Sequence, residues 1–550
     1  MLAVSGPDAQ VERVQLLLDH GAQIDREPSP SSSSRPAVLS QALAGGNPWI
    51  VEALLAAGAD VHYRDVNGYD ALLDAVHGKD LIRDPNLINL LRLLISKGVA
   101  LNGISSYQES ALRVLSRVGR FDAVRVLLDA GADGSQLQWT PLIQAVALGT
   151  LSDVEVALQG PTSLEEKDWW SRTAWLVALQ TGDLSKAQLL RERGADTNAR
   201  GRCGKPPLFY PIGTHHRLML RWLIEIGIDV EQTDAFGTTP LMQAVERDDP
   251  ECVSILLEAG ADVDRTQEGE ITFGNCKPKC RTPLNQARSR GIVARLLEAG
   301  ADPSELSYAG QRALLGYGRE PDESLLDAST ADFLRGRNPR FASLNPEAMH
   351  EPFWEGMIRA GITSRMARRI FAGPSPVGLG PVWCAQRFGQ SITRLLDGRI
   401  VQVGGEHEDW SDPDFCIYND VFVHDPDGTI RIFGYPESVF PPTDFHTATL
   451  VGTQIYLIGS LGYLGRRRHG ETPVYRLDTD TFRIERVDVR GEAPGWISRH
   501  RASQSAPGEI QVQGGKIATA SARGDALIPN DRTLILDLKE LAWRETSEPG

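Results

Sequence analysis

Cysteine is scarce in this chain, with six cysteines in 550 residues, and this scarcity excludes a scaffold built on disulfides. No apolar run approaches the roughly 18 residues that indicate a membrane-spanning helix. The amino-terminal segment has neither a basic leader nor a long apolar stretch, so the sequence predicts no secretory signal. These absences favour a reducing compartment, and we expect the protein in the cytoplasm.

Basic charge is also in short supply. The chain has 57 lysines and arginines against 72 acidic residues, which gives a formal net charge of −15. Since phosphate contacts need a basic surface, this balance argues against general binding of nucleic acids or anionic membranes. A phosphate-cradling GxxxxGK[ST] motif is missing, and no Ser-His-Asp or Cys-His grouping stands out locally. The sequence therefore predicts no catalytic residue and no cofactor.

What the chain does contain is a repeat with a step of 33 residues. The triplet TPL or a variant recurs at this interval, beginning at Thr140, Thr173, Pro206 and Thr239. Each unit predicts two helices and an extended excursion, with a threonine cap, a proline at the first helical position and a glycine that ends the second helix. Neither helix can bury its apolar stripe alone, so neighbouring units must stack.

This pattern resembles the ankyrin repeat, whose signature is TPLHxA followed by a GAD-like helix end. About nine units are indicated by equivalent helix ends at Gly21, Gly58, Gly98, Gly131, Gly160, Gly194, Gly227, Gly260 and Gly300. The resemblance covers residues 1–310 and implies a helical solenoid that holds a protein partner against its hairpin tips and inner helices. Longer intervals predict insertions at Pro28–Ser34 and at Ile271–Cys280.

The alignment of the hairpin tips selects candidate contact residues. Trp170, Cys203 and Phe236 occupy equivalent positions at successive tips, and Trp169 adjoins the first of them. Large aromatic side chains at exposed positions are typical interface anchors, so we predict that these four residues contact a partner. The alternative is that the rings pack on the adjacent tip.

Cys276 and Cys280 are candidate metal ligands, because thiolates at short spacing can hold zinc. A complete site needs four ligands, and no nearby CxxC or HxxxH motif supplies the others. We therefore predict two free thiols and no metal site.

Residues 311–385 follow neither repeat and predict a helical spacer. Apolar residues at helical spacing run from Glu347 to Phe371, and Gly361 should divide this stretch into two helices. The basic face of this stretch could touch a membrane or a partner, but packing against the last repeat is favoured. The segment Gly373–Pro381 is expected to be a hinge.

A second repeat has a step of 55 residues, with IVQVGG, IYLIGS and IQVQGG beginning at Ile400, Ile455 and Ile510. Four strands per unit, with two small residues after the second, is the organisation of a propeller blade. Residues 386–550 resemble kelch repeats in their paired glycines, in Tyr418 or Tyr475 downstream and in Trp543 of the last strand. Three blades are visible, so the module could be an incomplete ring, pair with another chain or lean on the spacer.

The loops after the paired small residues carry opposite charges. The first loop contains Glu406 and Asp409, and the second contains Arg466, Arg467 and Arg468. The two loops could pair with each other, or they could form a polarised surface that attracts a charged partner. We predict these five residues as a second set of partner contacts.

The predicted architecture is a multidomain α + β protein: an ankyrin α-solenoid at 1–310, a helical spacer at 311–385 and an all-β, kelch-like partial propeller at 386–550. We expect a protein-interaction scaffold, not an enzyme, with its oligomeric state open. Alternatives in the same class are an antitoxin-like immunity protein and a secreted effector. An alternative from another class is a kelch-type metal-dependent oxidoreductase, although His446 and His500 match in position and thus suggest structural roles.

Overall fold

The computed structural model describes residues 11–24, 38–78, 81–267, 282–302, 306–371, 381–408, 415–521 and 524–546. It divides into two compact units, Met1–Arg281 and Thr282–Gly550. The predicted loop at Pro28–Ser34, the thiols Cys276 and Cys280 and the acidic residue Asp409 lie outside the described residues.

The first unit consists of short helices that alternate with turns and hairpin tips. Its described helices are α1 Val11–Asp19, α2 Val38–Ala44, α3 Pro48–Ala56, α4 Ala71–Ala75, α5 Leu87–Ser96, α6 Ala111–Val118, α7 Phe121–Asp129, α8 Pro141–Leu148, α9 Leu151–Ala157, α10 Ala174–Thr181, α11 Leu184–Glu192, α12 Phe209–Gly213, α13 Arg217–Glu225, α14 Pro240–Glu246 and α15 Pro250–Glu258.

The predicted helix caps are present in the structure. The hydroxyls of Thr140, Thr173 and Thr239 each accept a hydrogen bond from the backbone N–H three residues later. These bonds satisfy donors that the first helical turn leaves unpaired. At the other end of the helix pair, Gly194 and Gly260 have positive φ angles of 87° and 85°, which a glycine adopts without strain.

The 33-residue step places equivalent apolar residues in one core. In the second helices, Leu190, Leu223 and Leu256 are each 0% exposed. At the same step in the first helices, or in one case directly before the helix, these residues are also buried: Leu142, Trp175, Leu208 and Leu241. Burial at a fixed period across several helices means that each repeat completes the core of its neighbour.

The second unit begins with helices and continues into sheets. Its described helices are α16 Pro283–Gln286, α17 Arg290–Glu298, α18 Tyr308–Leu315, α19 Thr330–Gly336, α20 Pro352–Ala360 and α21 Ser364–Phe371. Its described strands are β1 Glu347–Ala348, β2 Ser391–Arg394, β3 Ile400–Val403, β4 Glu406–His407, β5 Cys416–Ile417, β6 Val421–His424, β7 Ile430–Gly434, β8 Thr447–Val451, β9 Gln454–Ile458, β10 Val474–Asp478, β11 Ile484–Arg486, β12 Trp496–Ser498, β13 Arg501–Ala506, β14 Glu509–Gln513, β15 Lys516–Ser521, β16 Gly524–Pro529, β17 Thr533–Asp537 and β18 Ala542–Glu545.

Each 55-residue repeat contributes four strands to one antiparallel sheet, and β1 from the spacer adds a fifth strand to the first of these sheets. We call them sheet 1, with the order β1-β7-β6-β3-β2, sheet 2, with the order β11-β10-β9-β8, and sheet 3, with the order β13-β14-β17-β18. Smaller sheets join β12, β15 and β16, and β4 and β5. The C-terminal region is therefore all-β with several sheets, and no closed propeller is found in the part of the chain that the structure describes.

The spacer helices pack on sheet 1. Trp354 of α20 stacks on Trp383 with a centroid distance of 4.7 Å, and both rings belong to a buried cluster that includes Phe422 and Ile432 of the sheet. Helix α20 ends at Gly361, the break that the sequence predicts. The C-terminal β region was expected to be an incomplete ring, to pair with another chain or to lean on the spacer. The structure shows the contact between sheet 1 and the spacer.

Candidate protein-contact surface

Successive hairpin tips of the first unit are joined by main-chain hydrogen bonds. Trp169 N–H donates to the carbonyl of Leu137 at 3.2 Å, and Arg202 N–H donates to the carbonyl of Trp170 at 3.3 Å. Ala235 N–H continues the series at the carbonyl of Cys203, at 2.9 Å. This ladder holds the tips in a row, so their side chains form one surface.

An aspartate shapes two of these tips. Oδ1 of Asp168 accepts from the backbone N–H groups of Trp170 and Arg172, at 2.9 and 2.8 Å. Asp234 accepts from Phe236 and Thr238 in the same way, both at 2.9 Å. A side chain that bonds its own backbone fixes a tight turn, which here presents the residue two positions later at the tip.

Arg172 anchors the first of these tips to the helices. Its side chain is fully buried and pairs with the Asp168 carboxylate at 2.6 Å. The same guanidinium donates to the hydroxyl of Ser116 and to Oε1 of Gln180, both at 2.6 Å. Since Ser116 lies in α6 and Gln180 in α10, the buried pair ties the tip to two first helices.

Trp170 lies between two arginines at the surface. The guanidinium of Arg202 is 4.6 Å from the ring centroid, and that of Arg117 is 5.3 Å away. Cations over an indole face are attracted by its quadrupole. Arg117 also reaches Oε1 of Glu109 at 2.7 Å, which extends the contact along the repeat that ends at Gly131.

The contact continues through Glu109 to two tyrosines. Glu109 Oε2 lies 3.2 Å from His77 Nε2 and accepts a 3.2 Å hydrogen bond from Tyr69. The rings of Tyr69 and Tyr107 are 6.4 Å apart, and Tyr107 is 67% exposed. We define the tip strip as the set of side chains linked in this way: Tyr69, His77, Tyr107, Glu109, Arg117, Trp170 and Arg202.

Electrostatics hold the tip strip together. Burial alone would raise the pKa of Glu109, but the hydrogen bond and charge of Arg117, with His77, hold this pKa below its usual value. Burial and the neighbouring Glu109 carboxylate raise the pKa of the Tyr69 phenol. The tip strip thus contains two tyrosines, one tryptophan and two arginines, residue types that are enriched in protein–protein interfaces.

The four tip residues predicted from sequence have different environments. Trp170 lies in the tip strip, whereas Trp169 packs against the buried core of the first unit. The Trp169 and Trp170 centroids are only 4.8 Å apart, although their surroundings differ. Cys203 is exposed at the next tip, and Phe236 is half-buried at the tip after it.

The predicted loop residues of the second unit pair with different neighbours. Arg466 pairs with Glu437, Arg467 lies 3.3 Å from Asp525, and Arg468 lies 3.7 Å from Glu471. Mutual pairing of the two charged loops is thus not seen among the described residues.

Glu406 is half-buried, and burial, followed by the charge of Asp444, raises its pKa to about 7. Glu406, which the sequence places in the acidic loop, therefore lies close to the carboxyl group of Asp444. Asp409, beyond the described residues, stays a prediction.

The histidines of the sheets are buried hydrogen-bonding groups. His446 Nε2 lies 2.8 Å from Ser391 Oγ, and His500 Nε2 lies 2.9 Å from Thr447 Oγ1. Burial lowers the pKa of each to about 3. Within the described ranges, no group of three or more His, Cys, Asp or Glu residues is placed to hold a metal ion.

Sequence reasoning missed most of the tip strip. The residues that cap the first helices, Asp70, Ser110 and Thr140, are 40 and 30 residues apart, so the 33-residue alignment did not reach Tyr69 and Tyr107. Tyr107 lies three residues before its helix cap, Ser110, as Trp170 does before Thr173, so aligning the tips on the caps would have identified Tyr107. Tyr69 directly precedes its cap, Asp70, and this alignment does not reach it.

Comparison with known families and proteins identifies the helical repeats. A family model for ankyrin repeats matches three segments, residues 39–137, 175–267 and 219–307. Over 183 residues, which are 32% of the chain, the sequence is 26% identical to the putative ankyrin repeat protein YahD of Escherichia coli, 91% of which is covered. In an alignment of 258 residues that covers 43% of the chain, it is 28% identical to the human ankyrin repeat and SOCS box protein 6.

The likeness to larger relatives is confined to part of their length. The match covers 58% of the human protein and 17% of the ankyrin repeat protein nuc-2 of Neurospora crassa, to which the chain is 26% identical over 182 residues. The match to the family model confirms the ankyrin resemblance of the helical repeats. Among the described residues, no helix is both long and apolar enough to span a membrane.

Proposed function

We propose that this ankyrin-repeat chain is a protein-interaction scaffold whose tip strip binds one protein partner. The observation that carries the proposal is the continuous contact from Tyr107 to Arg202 across the tips. Aromatic residues and arginines are enriched where binding energy concentrates in protein interfaces, and here they lie side by side on a scaffold fixed by main-chain bonds.

The three sheets of the second unit extend this proposal. We assign them to kelch-like repeats in an open row, supported by the four-stranded order of sheets 2 and 3 and by the paired glycines after β3 and β14. Arg466 and Arg468 remain exposed at one loop and stay candidates for a second contact, although both already have acidic neighbours.

The proposal includes no catalysis and a cytoplasmic location. The first part is supported by the burial of His446 and His500, whose Nε2 atoms lie against hydroxyl groups of neighbouring strands. The immunity-protein and effector alternatives use the same surface and differ only in the partner, so identifying the partner distinguishes them. Metal analysis of the purified chain tests the oxidoreductase alternative, because stoichiometric copper or zinc would support that alternative.

The test uses the whole chain as bait, in extracts of its source organism, with quantitative identification of what is retained. The variant carries Tyr107→Ala and Arg202→Ala, two exposed members of the tip strip whose loss leaves the core intact. Truncating two anchors should weaken capture of the specific partner at least about tenfold.

The matched control carries Val156→Ala and Leu218→Ala, which are 64% and 82% exposed on the second helices α9 and α13. We expect the control to retain the partner as the unaltered chain does. Equal capture by the strip variant and the unaltered chain would refute the proposed surface.

A further inference from the structure

The three sheets repeat one main-chain contact at each junction. Gly405, two residues after β3, donates its N–H to the carbonyl of Thr443, which precedes sheet 2, at 2.8 Å. Ser460, 55 residues later, donates in the same way to Ile497, which precedes sheet 3, at 2.9 Å. The next residue in this series is Gly515. Among the described residues, no group accepts a hydrogen bond from the Gly515 N–H.

A second main-chain contact repeats in the opposite direction. Phe445 N–H donates to the carbonyl of Gly389 at 2.8 Å, and Arg499 N–H donates to the carbonyl of Phe445 at 2.9 Å. All three residues have left-handed backbone angles, with φ of 62°, 47° and 57°. The carbonyl of Arg499 is the next acceptor of the series. Sheet 3 therefore presents both the donor and the acceptor of one more junction.

The second strands of sheets 1 and 3 differ in their burial. Strand β3 is buried at every position, whereas β14 is buried at Ile510 and Val512 and less so at Gln511 and Gln513. Alternation of apolar and polar residues is expected of a sheet with one solvent face. Sheet 3 thus has a polar outer face, a feature that is expected of the end unit of a repeat array.

The junction groups of sheet 3 border a basic cavity of about 420 Å³. Three guanidinium groups line it, those of Arg499, Arg501 and Arg532, together with one carboxylate, that of Asp531. Arg501 pairs with Asp302 at 3.3 Å, and Arg532 pairs with Glu492 at 2.8 Å.

Arg499 lies 3.9 Å from the centroid of the Phe445 ring. Stacking on a ring leaves the N–H edges of a guanidinium available for a carboxylate. Because Arg501 and Arg532 already pair with acidic residues, the positive charge for an acidic ligand comes from Arg499 and from Lys516, the residue after Gly515.

The protein's own junction indicates which ligand fits. The segment that meets sheet 1 is Thr443–Phe445, and it carries Asp444, whose charge acts on Glu406. Glu406 is the residue after Gly405. The residue after Gly515 is Lys516, which is exposed. At the junction of sheets 1 and 2, Asp444 thus faces the carboxyl group of Glu406. An aspartate bound at the same place on sheet 3 would face the ammonium group of Lys516.

We propose that the end of sheet 3 binds an extended acidic segment of a protein partner. Its backbone pairs with the Gly515 N–H and the Arg499 carbonyl, and its Asp or Glu carboxylate pairs with Arg499 and Lys516. This site is distinct from the tip strip, so it can bind whether or not the strip does.

The test measures binding of a labelled peptide to the full chain by fluorescence anisotropy at low ionic strength. The probe has the sequence of Pro442–Thr447, the protein's own junction segment, and the control peptide has asparagine in place of its aspartate. We expect saturable binding of the acidic peptide. Binding of the asparagine-containing control, which we call the amide peptide, should be at least about tenfold weaker, because a charge-assisted hydrogen bond is lost.

A chain with Arg499→Gln and Lys516→Gln should bind the acidic peptide with an affinity about tenfold lower, or lower still. The matched control is Arg476→Gln, an exposed arginine of sheet 2 that pairs with Glu485, and it should bind the probe unchanged. If the double variant does not fold, as judged by circular dichroism, the comparison of the two peptides on the unaltered chain decides.

Three results would overturn the proposal. The first is no saturable binding, and the second is equal affinity for the acidic and amide peptides. The third is a different occupant: displacement of the probe by inorganic phosphate at equal concentration, or self-association of the chain that the double variant abolishes.

Discussion

Replacing Trp169 and Trp170 one at a time by alanine separates packing from recognition. Trp169 lies against the buried core of the first unit, with the Arg113 guanidinium 5.3 Å from its ring centroid. An indole that buries roughly 150 Å² contributes about 4 kcal/mol at roughly 25 cal/mol per Å², an upper bound because the unfolded chain also buries apolar surface. Trp169→Ala should therefore lower the free energy of unfolding by about 2–4 kcal/mol.

Trp170→Ala should have a different profile. The ring is half-buried and held by two guanidinium contacts, each worth about 0.5–1 kcal/mol, so the loss of stability should be about 1–2 kcal/mol. Because Trp170 belongs to the tip strip, its loss should weaken partner capture about tenfold. Trp169→Ala should leave the capture by the folded fraction nearly unchanged.

The assay is urea unfolding of the full chain, followed by circular dichroism, together with quantitative capture of the partner. Trp49→Ala is the matched control, since Trp49 is 59% exposed on α3, and it should be near neutral in both measurements. The reasoning is refuted if Trp170→Ala destabilises the chain more than Trp169→Ala, or if the two variants lose the partner equally.

Three further outcomes follow from buried groups and one exposed thiol. Arg172→Met should destabilise the chain by about 3–5 kcal/mol in urea unfolding, because it leaves the Asp168 carboxylate buried and unpaired, and adding Asp168→Asn should recover part of the loss. His424, His446 and His500 have their pKa values lowered to about 3 by burial, so their contribution to stability is present above the ordinary value of 6.5 and is lost as pH falls towards 3. Unfolding of the full chain as a function of pH should show this loss, at up to about 1.4 kcal/mol per pH unit for each histidine; a flat profile between pH 6.5 and 4 would contradict it. Cys203→Ser should remove one fast-reacting thiol in a maleimide titration, since Cys252, Cys384 and Cys416 are buried, and an unchanged count would show that Cys203 is protected.

The regular part of the fold could be predicted because its causes are local. A threonine cap, a proline at the first helical position and a glycine after the second helix act within a few residues, so their 33-residue phase predicted the helices of the first unit. The strands of the sheets were predicted for a similar reason, since the paired glycines and apolar runs of the 55-residue repeat mark strand ends.

The surface could be predicted only in part because it depends on neighbours distant in sequence. Trp169 and Trp170 look alike in the sequence, and only the chain around Arg113 and Arg202 assigns one to the core and the other to the strip. One terminal feature was readable but unused: Ile510–Gln513 alternates apolar and polar residues, which indicates a sheet with one face in water.

The tip ladder has a consequence for how binding preference can change over time. Its hydrogen bonds join the backbone N–H of one tip to the backbone carbonyl of another. The register of the tips therefore does not depend on a side-chain hydrogen bond from Trp170, Cys203 or Phe236. A substitution there can alter the chemistry offered to a ligand without disturbing the spacing. Such a framework allows the side chain at each tip to change independently of the others while the backbone spacing of the tips is kept.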